Sequence, residues 1–85
     1  MMISSYVVQT QPGKARGVAL ELSRWNGCLS QAADNEDLVI LVSESANATL
    51  EDTRMAAFER VPGVRTISLS FRGEAKEQKE EVSHV

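Results

Sequence analysis

The residue types that most often carry chemistry are scarce in this chain. It has one cysteine, Cys28, and one histidine, His84, among 85 residues. A metal site in a protein needs several such side chains converging on one ion, so the sequence predicts no metal centre and no cofactor. Nucleophilic catalysis needs a base beside the nucleophile, and the histidine that could activate a serine lies near the C-terminus. We therefore expect a protein that is not an enzyme.

Two similar helical segments divide the chain into two copies of a strand, helix, strand unit. Residues 18–28 and 54–64 both place apolar side chains at helical spacing and reach a glycine before an extended run. An apolar, strand-length run precedes each helix, at 3–10 and at 38–43. This order predicts an α+β, ferredoxin-like β-α-β-β-α-β sandwich, with a four-stranded antiparallel sheet and two helices on one face.

Each predicted helix has a stripe of apolar residues for packing on the sheet. The stripe of the first is Ala15, Val18, Ala19, Leu22 and Trp25, and that of the second is Leu50, Ala57, Phe58 and Val61. Residues 45–49 offer several possible caps for the second helix, and Thr49 with Asp52 three residues later resembles a capping box.

Composition changes sharply near the C-terminus. Residues 1–72 form the predicted ferredoxin-like domain, whereas 73–85 (GEAKEQKEEVSHV) are almost without apolar side chains and are expected to be a disordered acidic tail. A net charge of -3 argues against nucleic acid and favours a basic partner. The apolar run at 3–8 is too short for a membrane span or a signal-peptide core, so we expect no membrane association and a cytoplasmic location.

The sheet face without helices is the candidate binding surface. In the third strand both faces are apolar, and the row containing Val39 and Leu41 is assigned to the open face because polar Asp37 and Ser43 bound it. In the fourth strand, alternation predicts that Ile67, Leu69 and Phe71 point at the helices. The predicted peptide-binding residues are Ser5, Val7, Gln9, Val39, Leu41, Ser43, Thr66, Ser68 and Ser70. An apolar centre with hydroxyl and amide surroundings suits a peptide lying across the sheet.

Three stretches resemble the NapD family, the small chaperones of periplasmic nitrate reductase assembly. They are ISSYVVQTQP at 3–12, RWNGC at 24–28 and RVPGVRTISLSF at 60–71, and the similarity extends in order and spacing over roughly 3–71. The resemblance implies a cytoplasmic protein that binds the twin-arginine signal peptide of the molybdenum-containing catalytic subunit. It also implies that the protein delays export until the cofactor is inserted, which is binding rather than catalysis.

The charge balance agrees with this implication. Asp37, Glu44 and the acids of the tail can offset the paired arginines, although exposed ion pairs contribute only about 0 to 1 kcal/mol each. Two alternatives remain open at this level. In the first alternative, the open face is buried in a homodimer. In the second, the chain is an ACT-like regulatory domain that binds a small metabolite at a dimer interface.

Overall fold

The computed structural model describes residues 1–75 and contains four strands and two helices. Their order is β1 (Met2–Thr10), α1 (Ala15–Ser23), β2 (Cys28–Ala32), β3 (Leu38–Ser45), α2 (Ala48–Phe58) and β4 (Val64–Glu74). The strands form one sheet in the order β2-β3-β1-β4, and each neighbouring pair is antiparallel. This arrangement confirms the predicted ferredoxin-like fold. Neither described helix has the length and apolar character needed to cross a bilayer.

Strand β1 lies in the middle of the sheet and shows the alternation that its sequence predicts. Its even-numbered side chains from Ser4 to Thr10 are buried, whereas Ser5 and Val7 are half-buried and Gln9 is exposed. Tyr6 and Val8 are completely buried and form the centre of the core. Successive side chains of a strand point to opposite faces, so the odd-numbered residues of β1 line the uncovered face.

Helix α1 packs on the sheet through the predicted stripe. Ala15, Val18 and Leu22 are buried, and Trp25 packs against Phe58 with ring centroids 4.8 Å apart. The turn after the helix depends on Gly27, which has a φ of +76°. A Cβ atom at this position would lie 2.8 Å from the carbonyl oxygen of Glu44, so only glycine lets the turn approach β3 this closely.

Helix α2 begins earlier than the predicted capping box. Asn47 is the N-cap residue, and its side-chain oxygen accepts a hydrogen bond of 2.9 Å from the N–H of Leu50. Asn47 is within the range 45–49 that the sequence offers for the cap, whereas Thr49 lies inside the helix, so the capping box predicted at Thr49 is wrong. The predicted buried stripe is also wrong at its first position, because Leu50 is 46% exposed and Glu51 is fully buried.

The pairing of β4 with β1 has two irregularities, beside Gln9 and Thr10 and beside Ser5 and Tyr6, and β4 keeps the predicted alternation only between them. Ile67 pairs with Val8 and is buried, as predicted, but the register shifts before Phe71, which pairs with Ser5. Phe71 therefore lies on the open face, where it is 60% exposed, and the prediction that it points at the helices is wrong. A bulge inserts one extra residue, so the strand's side chains exchange faces beyond it.

The end of β4 differs from the predicted domain boundary. The strand continues to Glu74, two residues beyond Arg72, and the N–H of Ala75 donates to the carbonyl oxygen of Met1 over 2.7 Å. Residues 76–85, which make up most of the predicted disordered tail, lie outside the described residues.

Candidate binding face of the sheet

Strand β3 does not place the predicted row of side chains on the open face of the sheet. Val39, Leu41 and Ser43 are fully buried on the helix side, so their assignment to the open face is wrong. The cause is register: Leu41 is opposite Tyr6, and direct partners in an antiparallel pair point to the same face. The open face instead carries Leu38, Ile40, Val42 and Glu44.

One row of direct partners crosses all four strands of the open face. Val42 pairs with Leu29 on one side and with Ser5 on the other, and Ser5 pairs with Phe71. With strands about 4.8 Å apart, this row spans about 14 Å. Leu29 is 75% exposed, and the ring of Phe71 lies close over Gly73. A second row contains Ile40, which is 44% exposed, and Val7.

These two rows and one neighbouring residue form an apolar surface that the helices do not cover. We call it the open-face patch and define it as Ile3, Val7, Leu29, Ile40, Val42 and Phe71. Scattered single apolar residues are normal on protein surfaces, but a contiguous group on one sheet face indicates an interaction surface.

Polar residues of the predicted set lie on the open face, with Ser5 inside the open-face patch, between Val42 and Phe71, and the others beside it. The structure places Ser5, Gln9, Thr66 and Ser68 on the same face as Val7, and the hydroxyl of Thr66 donates to the side-chain oxygen of Gln9 over 3.2 Å. Ser70 lies at the register shift between Leu69 and Phe71 and is exposed. A role of these residues in binding stays a prediction.

A buried polar cluster lies on the other side of the sheet, beneath α2. The carboxylate of Glu51 accepts hydrogen bonds from the hydroxyls of Tyr6, at 2.7 Å, and Ser43, at 2.9 Å. Arg72 donates to the hydroxyls of Ser4, at 2.8 Å, and Tyr6, at 3.3 Å, and forms a 2.7 Å ion pair with Asp52. The cluster thus connects α2 to β1, β3 and β4.

The ionisation of Glu51 follows from these contacts. Burial raises the pKa of Glu51, but hydrogen bonds from Tyr6, Ser45, Ser43 and Ser4 outweigh it, so the pKa is lowered. Burial and the bond to Glu51 raise the pKa of Tyr6. The sequence analysis did not single out Glu51 and missed this role. Glu51, Met55 and Phe58 follow one another at helical spacing (i, i+4, i+7). This spacing predicts that Glu51 lies on the same side of α2 as buried Phe58.

The sequence model of the NapD protein family matches residues 1–75. The chain belongs to the NapD family. This match confirms the resemblance on which the sequence analysis relied.

A solved structure is also similar to this NapD-family chain, the solution structure of the E. coli Tat proofreading chaperone protein NapD. The TM-score is 0.74, and the match covers 89% of this chain and 80% of the other at 23% sequence identity. At this identity the likeness shows the shared fold. A search of curated protein sequences found no match.

Two observations concern the residue types that most often carry chemistry, within residues 1–75 of this NapD-family chain. No group of three or more histidine, cysteine, aspartate or glutamate side chains in this part of the chain could hold a metal ion. Cys28 is buried, and its sulfur lies 3.1 Å from a guanidinium nitrogen of Arg54. It belongs to the hydrophobic core, at the edge where the core meets Arg54.

Proposed function

We propose that this NapD-family chain is an assembly chaperone that binds a twin-arginine signal peptide on the open face of its sheet. The peptide is that of the catalytic subunit of a periplasmic nitrate reductase. The protein acts in the cytoplasm and delays export until the cofactor is inserted, as a binding protein rather than an enzyme. The observation that carries the proposal is the open-face patch on a fold of this family.

The surface suits the two parts of such a peptide. A signal peptide has a basic segment followed by an apolar segment. Covering an aliphatic or aromatic side chain of the patch contributes up to about 1.5 to 3 kcal/mol, whereas an exposed ion pair contributes about 0 to 1 kcal/mol. The apolar segment therefore supplies most of the affinity, and the acidic residues of the protein supply selectivity for the basic segment.

Support also comes from the similar solved structure, that of the E. coli Tat proofreading chaperone protein NapD. The likeness covers 89% of this chain and shows that the two proteins share a fold. No finding favours an ACT-like regulatory domain.

The test is calorimetric titration with a synthetic peptide. The peptide carries the twin-arginine signal of the nitrate reductase catalytic subunit encoded in the same genome. We expect saturable binding and amide chemical-shift changes concentrated on the open-face side of β1, β3 and β4. Absence of heat and of shift changes at high micromolar peptide would defeat the proposal.

A matched pair of variants locates the contact. Ile40→Ser removes an aliphatic side chain from the open-face patch, whereas Leu20→Ser removes one from the exposed side of α1, where Leu20 is 62% exposed. We expect weaker binding for Ile40→Ser only. Equal effects of the two substitutions would place the peptide elsewhere.

A further inference from the structure

Glu44 is the charged residue at the edge of the open-face patch. It is exposed, it follows Val42 on the same face of β3, and it pairs with Ile3. Its backbone is held on both sides, because its N–H donates to Gly27 over 3.0 Å and its carbonyl oxygen accepts from Arg54 over 3.1 Å. Among residues 1–75 its carboxylate has no ion-pair partner. The backbone is therefore fixed while the charge remains available.

A surface recess lies directly beside this carboxylate. It has a volume of about 260 Å³ and is lined by Gly27, Cys28, Leu29, Val42 and Glu44. We call it the Glu44 recess. Its lining combines two aliphatic side chains with one carboxylate and includes no basic residue.

A larger recess on the other side of Glu44 is less suited to a cation. Its volume is about 510 Å³, and Arg54 forms part of its lining. The guanidinium of Arg54 donates to the carbonyl oxygens of Asn26 and Glu44, so its positive charge is fixed there. A second cation would be repelled in this recess, whereas no basic residue lines the Glu44 recess.

We propose that the Glu44 recess receives a guanidinium of the paired arginines of the signal peptide. This inference rests on the proposed function. The aliphatic stem of the arginine packs along Leu29 and Val42, and its planar head reaches the carboxylate while staying partly in water.

Another acidic residue considered from the sequence is already engaged. The carboxylate of Asp37 accepts a hydrogen bond of 3.1 Å from the N–H of Gly13, in the loop at the opposite end of β3. Glu44, by contrast, is contiguous with the open-face patch through Val42 and Ile3.

The position of Glu44 also sets the direction of the peptide. The strand ends one residue later, so the apolar side chains of the patch other than Ile3, the direct partner of Glu44, lie in rows on one side of it. In a signal peptide the apolar segment follows the basic one. The segment after the arginines therefore runs from the Glu44 recess inward across Ile40, Val7 and Phe71.

A double-mutant cycle between protein and peptide tests the contact. Wild type and Glu44→Gln are titrated with the signal peptide and with a peptide whose two arginines are glutamines, at about 50 mM and about 500 mM salt. We expect Glu44→Gln to weaken binding of the arginine peptide about 5-fold at low salt and less at high salt. We expect Glu44→Gln to bind the glutamine peptide as wild type does.

The matched control is Glu36→Gln, which removes the same charge from the exposed loop before β3 and is expected to change binding little. An equal loss for Glu44→Gln with both peptides, or no loss with either, overturns the inference while the proposed function stands. An equal loss for Glu36→Gln also overturns it. Failure of the wild type to bind the arginine peptide overturns the proposed function and this inference together.

A spin label on the peptide tests the direction. A nitroxide next to the arginines should broaden the amide signals of Gly27 and Leu29, and one at the C-terminal end of the apolar segment should spare them. The reverse pattern contradicts the direction, and with it the placement of the arginines at Glu44.

Discussion

The hydroxyl of Tyr6 donates a 2.7 Å hydrogen bond to the carboxylate of Glu51, and both side chains are fully buried. This bond joins the central strand to the first turn of α2. Ser43 donates to the other carboxylate oxygen, so both oxygens of Glu51 have a partner. A buried carboxylate is tolerated only when such bonds replace the water that it loses.

Removing this carboxylate should destabilise the fold. Glu51→Ala leaves the hydroxyls of Tyr6 and Ser43 without their acceptor and creates a cavity, and we expect a loss of about 2 to 4 kcal/mol. Glu51→Gln keeps the shape and one acceptor, so we expect about 1 to 2 kcal/mol. Urea denaturation measures both. The control Glu59→Gln, at the exposed end of α2, should stay within about 0.5 kcal/mol of wild type.

The same carboxylate should make stability depend on pH on the acid side. The pKa of Glu51 in the folded protein is lowered from 4.5, so the unfolded chain binds more protons between the two values. This contribution is therefore complete above the unfolded pKa and is lost as the pH falls through the folded pKa. Urea midpoints should decrease as the pH is lowered past 4.5, and less so in Glu51→Gln. A variant with the same acid slope as wild type would contradict the assignment.

The start of α2 can be tested by comparing two substitutions. Asn47→Ala removes the side-chain acceptor for the N–H of Leu50, and we expect a loss of about 1 kcal/mol in urea denaturation. Thr49→Ala changes an exposed residue inside the helix and should change stability by less than about 0.5 kcal/mol. The opposite ranking would indicate that the helix begins at Thr49.

The register of β3 can be tested by shortening two neighbouring side chains. Val39 is fully buried under the helices, and Val39→Ala should cost about 1 to 3 kcal/mol. Ile40→Ala removes more atoms, but from the open face, so it should cost less than Val39→Ala. Thermal or urea unfolding gives the comparison. A larger loss for Ile40→Ala would mean that the two faces of β3 are exchanged.

The helices and strands were predicted correctly from the sequence. The errors concern which side chains of a strand or helix face the core. In β3, Val39 and Ile40 are both apolar, so alternation alone cannot say which one the helices cover. The row of Val39 and Leu41 was assigned to the open face partly because Ser43 is polar. Ser43 is nevertheless buried, because its hydroxyl donates a hydrogen bond to Glu51. In β4 the register shift before Phe71 exchanges the faces, and no local signal marks it.

The fold class could be predicted from the sequence alone, because apolar periodicity, helix-ending glycines and the doubled order of elements are local properties of the chain. The same holds for the apolar stripe of α1 and the alternation of β1. Only tertiary contacts establish which row of β3 forms the open face and that Glu51 is buried at the centre of a polar cluster. Those outcomes depend on strand register and on the partners that a side chain meets across the sheet, and both arise only when distant segments pair.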